Sequence, residues 1–242
     1  MTPDIEGEYE TDVERAEIAL DPAWFPAVEN RGEGLFVQLR ATAVMSWLAR
    51  PAVKQRLDSL AIGYLHWAKE RKSLRLFPGG PYVLLHTLSH LLIQSLAMRC
   101  GYPASSIRER IYADTEAQQF GILLYTGSPD ADGTLGGLVQ QARHIEDHLA
   151  QALRMGALCS NDPVCAQHAP GESLEARWLH GAACHGCAPV AETSCEIRND
   201  FLDRALVVPV LGRSPDSRRR AVRCIARTRS DPLQVQSACA DG

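Results

Sequence analysis

No stretch of this sequence is both long and apolar enough to cross a bilayer. The most apolar run, Tyr82–Leu96, is interrupted by His86, Ser89, His90 and Gln94, and a span of about 30 Å needs roughly 20 predominantly apolar residues. The first ten residues, MTPDIEGEYE, are acidic and contain no apolar stretch, which excludes a secretory leader there. A G-x4-G-K-[ST] loop is missing, and with it the lysine that nucleotide hydrolysis at a Walker A site requires. Neither a G-x-S-x-G elbow nor a paired-carboxylate pattern stands out, and no internal repeat is evident. These absences predict a cytoplasmic chain with no membrane partner and no visible catalytic site of its own.

What is present is ordinary globular chemistry. Hydrophobic residues make up 45% of the 242 and charged residues 22%, enough for one substantial domain and too apolar for disorder throughout. The net charge of −4 is unevenly distributed. Residues 1–34 hold ten acids and two arginines; residues 213–242 hold seven arginines and three aspartates. The stretch between them is neutral. The sequence therefore divides into an acidic irregular lead (1–33), a folded region (34–212) and a basic tail (213–242) expected to be disordered.

Within the folded region, Gly34–Leu39 suits a strand, and Arg40–Arg71 reads as two helices broken at Pro51. Pro81–Arg99 is the strongest helix, apolar around most of its circumference and stopped by Gly101. Ser106–Ala113 and Phe120–Thr126 have strand length, a helix is expected from about Leu138 to Leu158, and Glu196–Val208 reads as a helix or a helix running into a strand. The fold class this predicts is α/β: a mixed core with a small cysteine-rich, zinc-binding insertion.

Eight cysteines are the feature that needs explaining, because disulfides are rare in a reducing compartment. Five of them fall between Cys159 and Cys195. Cys184-His185-Gly186-Cys187 is a C-x2-C turn that can aim two thiolates at one tetrahedral centre, and Cys159 and Cys165 supply a second pair at zinc-site separation. Cys159, Cys165, Cys184 and Cys187 are thus the candidate zinc ligands, with Cys195 able to replace Cys159 and His168, His180 or His185 able to stand in. A thiol oxidoreductase using Cys184 and Cys187 is the competing reading, although the preceding WLHGAA is a weak strand. Cys100, Cys224 and Cys239 read as incidental.

Other features carry less. His86 and His90 share a helix face, but Thr87 stands where a zincin has Glu, so two hydrogen-bonded core histidines compete with a metal-dependent hydrolase. The loop Leu123–Leu138 offers backbone amides at a helix start, and Gly136 and Gly137 are candidates for contact with a nucleic-acid backbone. Lys69, Arg71, Lys72 and Arg75, Arg108 and Arg110, and the tail arginines Arg213, Arg218, Arg219, Arg220, Arg223, Arg227 and Arg229 are either solvated faces or phosphate contacts. No nucleic-acid-binding residue is assigned.

Several blocks together resemble a known family. AVENRGEGLFV (Ala27–Val37), HTLSHLLI (His86–Ile93), SIRERIY (Ser106–Tyr112), YTGSPDADGTLGGL (Tyr125–Leu138) and HGAACHGC with ETSCEIRNDFLDRALV (His180–Val207) are similar to the MrfA-like zinc-binding domain. That domain is the C-terminal module of MrfA-type DNA helicases and also occurs in the DrmB-type components of the DISARM anti-phage system, whose cysteine blocks CSNDPVC and HGAACHGC resemble more closely. The resemblance covers about residues 25–210. It implies a zinc cofactor on Cys159, Cys165, Cys184 and Cys187, with Ala166–Ala183 as a longer insertion between the pairs. It also implies a non-catalytic accessory module that partners a DNA helicase subunit in phage defence or DNA repair and reaches DNA through that partner. The helicase motor domains are missing from this sequence, so a stand-alone module and a piece of a longer protein both stay open.

Overall fold

A computed structural model describes residues 32–126, 137–170, 177–210 and 235–239. The acidic lead up to residue 31, most of the glycine-rich loop and all the tail arginines lie outside the described residues.

The chain enters on β1 (Glu33–Gln38), followed by α1 (Ala41–Leu48) and α2 (Pro51–Glu70). Pro51 opens α2 at its first position, where its missing N–H has no intrahelical partner to lose. The central helix α3 spans Gly80–Cys100. It carries buried residues around its whole circumference, as a helix enclosed by other elements must. Gly101 ends it with φ +71° in the left-handed region, where a side chain would be strained. Two antiparallel strands follow, β2 (Ile107–Asp114) and β3 (Gln119–Thr126).

In β2 the inward and outward positions alternate, with Ile107, Glu109 and Ile111 inside and Arg108, Arg110 and Tyr112 outside. One inward position therefore holds a carboxylate. Strand β3 is largely buried because it lies between two neighbours: the sheet order is β2-β3-β1-β4, with every adjacent pair antiparallel. β4 (Val235–Cys239) joins the outer edge of β1. It lies inside the basic stretch expected to be disordered; the open edge of β1 presents backbone N–H and C=O groups that pair with any extended segment, whatever its side chains.

The expected single helix from Leu138 to Leu158 is corrected to three pieces: α4 (Gly137–Gln141), a 3-10 turn at Ala142–His144, and α5 (Ile145–Gly156). α5 lays Ile145, Leu149 and Ala152 inward and lies close to α3. A Cβ on Gly156 would stand 2.7 Å from Leu91 Cδ1, so glycine is what permits this approach. After the short α6 (Val164–Gln167) the chain has no further regular helix among the described residues up to 210. The expected helix at Glu196–Val208 is corrected too: it is a string of turns, with Arg198, Asn199 and Phe201 at positive φ and a 3-10 turn at Arg204–Leu206.

The core is one cluster. It joins Leu35 and Val37 of β1, Trp47 of α1, Leu60 of α2, Leu84, Leu85, Leu88, Leu91, Leu92 and Leu96 of α3, and Ile107 and Ile122 of the sheet. Each fully buried leucine contributes roughly 1.5–3 kcal/mol. Helix α3 is the axis of this packing, and its polar residues consequently face protein rather than water.

Candidate metal centre

The cysteine-rich segment leaves α5 at Cys159 and returns through Cys184 and Cys187. Backbone Cys187 N donates to Cys184 O at 2.9 Å, closing the C-x2-C turn and pointing both sulfurs one way. Cys165 sits in α6. The four sulfurs come together: Cys159 Sγ to Cys184 Sγ is 3.4 Å, Cys165 Sγ to Cys187 Sγ is 3.8 Å, and Cys184 Sγ to Cys187 Sγ is 3.8 Å. All four lie within 4.8 Å of one another. A tetrahedral zinc with Zn–S bonds near 2.3 Å requires sulfur–sulfur edges of about 3.8 Å, so the donor set fits that metal in number, type and spacing.

The surroundings supply the donors that thiolates need. Asn161 donates from its backbone N to Cys159 Sγ at 3.4 Å and from its side chain to Cys184 Sγ at 3.3 Å. Cys184 N donates to Cys187 Sγ at 3.3 Å. The Cys165 thiol beside Cys187 holds Cys187 as a thiolate, pulled down to about 5, and burial and backbone contacts modulate that effect. Cys165 is correspondingly pushed up by the same partner, and burial pushes Cys159 up to about 11. Cys159 and Cys165 thus hold their protons tightly beside the Cys187 thiolate. A divalent cation replaces those protons.

A buried cation and two buried carboxylates fasten this segment to the core. Arg204, wholly buried, pairs with Asp162 and donates to Gly156 O at 3.1 Å. It also lies against Cys165. Its neighbour Asp203, also wholly buried, pairs with Arg56 of α2 and accepts from Ala182 N at 2.9 Å and Ala205 N at 3.0 Å. Helix α3 adds Gln94, whose Nε2 donates to Cys187 O at 2.9 Å.

The reserve ligands lie elsewhere. Cys195 is drawn to α3, where His86 Nε2 is 3.1 Å from its sulfur. His168 Nε2 contacts Arg177 O at 3.0 Å, His185 is exposed, and His180 is held down at about 3 by burial. None of the three joins the group of four sulfurs.

His86 and His90 are buried at 0% exposure, as the core-histidine reading expects, and are gathered with Glu109 and Cys195. Glu109 was not singled out from the sequence. The signal that marks it is the alternation of SIRERIY, which puts a carboxylate between Ile107 and Ile111 on the inward face of β2.

The family model of the MrfA Zn-binding domain matches residues 88–188, a span that contains all four clustered cysteines. Residues 88–188 are therefore similar to the MrfA Zn-binding domain. Zinc is thus the metal supported both by this domain and by the donor set. The chain is also 39% identical over 192 residues to the DISARM protein DrmB of Bacillus paralicheniformis, an alignment covering 78% of this chain and 33% of that protein. The chain spans about a third of the length of that curated relative. Among the described residues, no helix is long and apolar enough to cross a membrane. Of the basic clusters, Arg75 and Arg110 are engaged by carboxylates of the chain itself, Arg75 with Asp200 at 2.5 Å and Arg110 with Glu196 at 3.2 Å.

Proposed function

We propose that this protein is a non-catalytic zinc module that serves as an accessory to a DNA helicase in a multi-protein anti-phage defence system. The observation that carries the reading is the four-sulfur cluster of Cys159, Cys165, Cys184 and Cys187 inside the matched MrfA Zn-binding domain. Four protein ligands complete a tetrahedron and leave no open position for a substrate, which is the mark of a structural rather than a catalytic zinc. Zinc bound there supplies a cross-link between the end of α5 and the 184–187 turn. Arg204 counters the excess negative charge of four thiolates, and Asp203 ties the same segment to α2.

The similarity to the DISARM protein DrmB supports the assignment to defence, and the resemblance of the sequence blocks to the C-terminal module of MrfA-type DNA helicases supports a helicase as the partner. The neutral folded centre argues that DNA is reached through that partner, since strong phosphate gripping needs excess cationic charge. The cytoplasm, where such a system meets incoming DNA, is the compartment this reading requires.

The reading is tested by measuring zinc in the purified 242-residue chain and in Cys184→Ser/Cys187→Ser. The variant loses one zinc per chain and the turns around Cys159, Cys165 and Cys184–Cys187 become protease-sensitive. A metal-free chain that stays folded, with a Cys184–Cys187 pair that turns over a disulfide, would favour the oxidoreductase instead. Co-expression with a helicase encoded by an adjacent gene tests the partner: a stable complex in gel filtration supports it, and separate elution at micromolar concentration counts against it.

A further inference from the structure

We propose that His86, His90, Glu109 and Cys195 form a second, structural metal site, and that zinc is the ion it takes. This inference does not depend on the four-cysteine site. Two of its ligands, His86 and Cys195, lie outside the residues that the MrfA Zn-binding domain model matches.

The four side chains come from three separate segments. His86 and His90 stand one turn apart on α3, Glu109 lies on the inward face of β2, and Cys195 is in the turn region after the C-x2-C knuckle. Their ligand atoms all fall within 4.8 Å of one another. His86 Nε2 is 3.1 Å from Cys195 Sγ and 3.1 Å from Glu109 Oε1, and His90 Nε2 is 3.3 Å from Glu109 Oε1. Zinc bonds of about 2.0–2.3 Å to nitrogen, oxygen and sulfur set tetrahedral edges of roughly 3.4–3.6 Å. The cluster needs to open by only a few tenths of an ångström to close around such an ion.

Hydrogen-bond chemistry argues for a cation at the centre. His90 Nδ1 lies 3.1 Å from Ala188 O. A carbonyl only accepts, so Nδ1 carries the proton and a neutral His90 presents a bare Nε2 to the Glu109 carboxylate. Two acceptors then face each other at 3.3 Å within a core where His86 and His90 are 0% and Glu109 3% exposed. Protonating His90 relieves this contact only by placing a buried cation against the ring of His86, with ring centroids 4.4 Å apart. One divalent ion satisfies all the acceptors at once. Two neutral imidazoles, one carboxylate and one thiolate around it also sum to zero charge, the least costly state for a buried site.

The outer contacts suit metal ligation as well. The Nδ1–H···O bond of His90 fixes the tautomer that leaves Nε2 to bind. Ser89 Oγ donates to Glu109 Oε2. Cys195 Sγ accepts backbone N–H groups from Ile197 at 3.4 Å and Asn199 at 3.1 Å, and the positive φ of Arg198 and Asn199 wraps the chain around the sulfur. Asn199 in turn holds Val190 through both its N and its O. With no exposed ring and four protein donors, the site is built to pin the 188–199 segment onto α3 and β2. A hydrolase, which needs an open coordination position, is not what this geometry offers.

Elemental analysis of the full chain, combined with zinc X-ray absorption, tests the proposal. The expected result is two zinc ions per chain, sharing five sulfur and three nitrogen or oxygen ligands. Cys195→Ser and Glu109→Gln each lower the metal content toward one, whereas Cys184→Ser/Cys187→Ser removes the other ion and leaves an ion with mostly nitrogen and oxygen ligands. The wild-type absorption spectrum decides the matter even where a variant fails to fold. A wild-type chain with one zinc in an all-sulfur shell overturns the second site while leaving the four-cysteine reading intact. Two zinc ions that persist in both Cys195→Ser and Glu109→Gln overturn it as well.

Discussion

The two clusters of this molecule gather four potential donor side chains each, yet they are built in opposite ways. The four-cysteine cluster is assembled from one stretch of chain, residues 159–187, and three of its four cysteines are only partly buried. The second cluster joins residues 109 positions apart, His86 and Cys195, across the inside of the core. In the first, the ions' absence would leave a short loop unfastened. In the second, it would leave acceptors facing each other around the central helix. The contrast teaches that a local ligand set organises its own loop, whereas a dispersed one fastens loop, helix and sheet to each other.

The sharpest way to break the comparison is to remove the C-x2-C pair. Structural zinc in small domains contributes on the order of 10–16 kcal/mol of apparent binding energy near neutral pH. Cys184→Ser/Cys187→Ser is therefore expected to lose its zinc outright and to expose the turns around Cys159, Cys165 and Cys184–Cys187, read by elemental analysis and limited proteolysis. If the hydrogen-exchange protection of β2 and β3 collapses equally, the loop is not the separate unit described here.

Next comes the buried cation that serves the cysteine segment. Arg204→Ala leaves Asp162 inside the protein without its partner, and breaking a buried pair this way costs about 3–5 kcal/mol. Chemical denaturation measures that loss. A change below about 1 kcal/mol would mean that the pair is solvated.

A smaller effect separates the clusters from each other. Ser89→Ala removes the hydroxyl that orients Glu109, and losing an outer-shell partner typically weakens metal binding by about 10–100-fold. Competition with a chelator should show one ion released more readily and the other unchanged. Equal release of both would mean that the sites are not independent. Smallest of all, Gln94→Ala deletes the hydrogen bond to Cys187 O and should cost about 0.5–1.5 kcal/mol with zinc retained, as thermal denaturation at constant zinc would report.

Much of the fold was legible because its signals are local. Pro51 between two helices, the all-round apolar pattern of α3 with Gly101 behind it, and the strands at 107–114 and 119–126 all follow from spacing and termination chemistry. Where expectation and structure part, the deciding contacts are distant. The helix pattern at Glu196–Val208 yields to turns because Cys195, Asn199, Asp203 and Arg204 each bond to partners on other segments. The pairing of β4 with β1 is likewise set outside the segment concerned.

By itself, the sequence determined the available donor types and the C-x2-C turn, because those constraints act over a few bonds of chain. It also determined that α3 would be enclosed, since a helix apolar on every side has no face to give to water. Only the tertiary structure decided where Cys195 goes and what Glu109 does. A strand's alternation says that Glu109 points inward, but which groups await it there depends on how α3 packs over the sheet. Cys195 reads as a fifth thiolate for the zinc loop until the fold carries it to His86. Contacts between residues distant in the chain are fixed by packing, and packing is a property of the whole core.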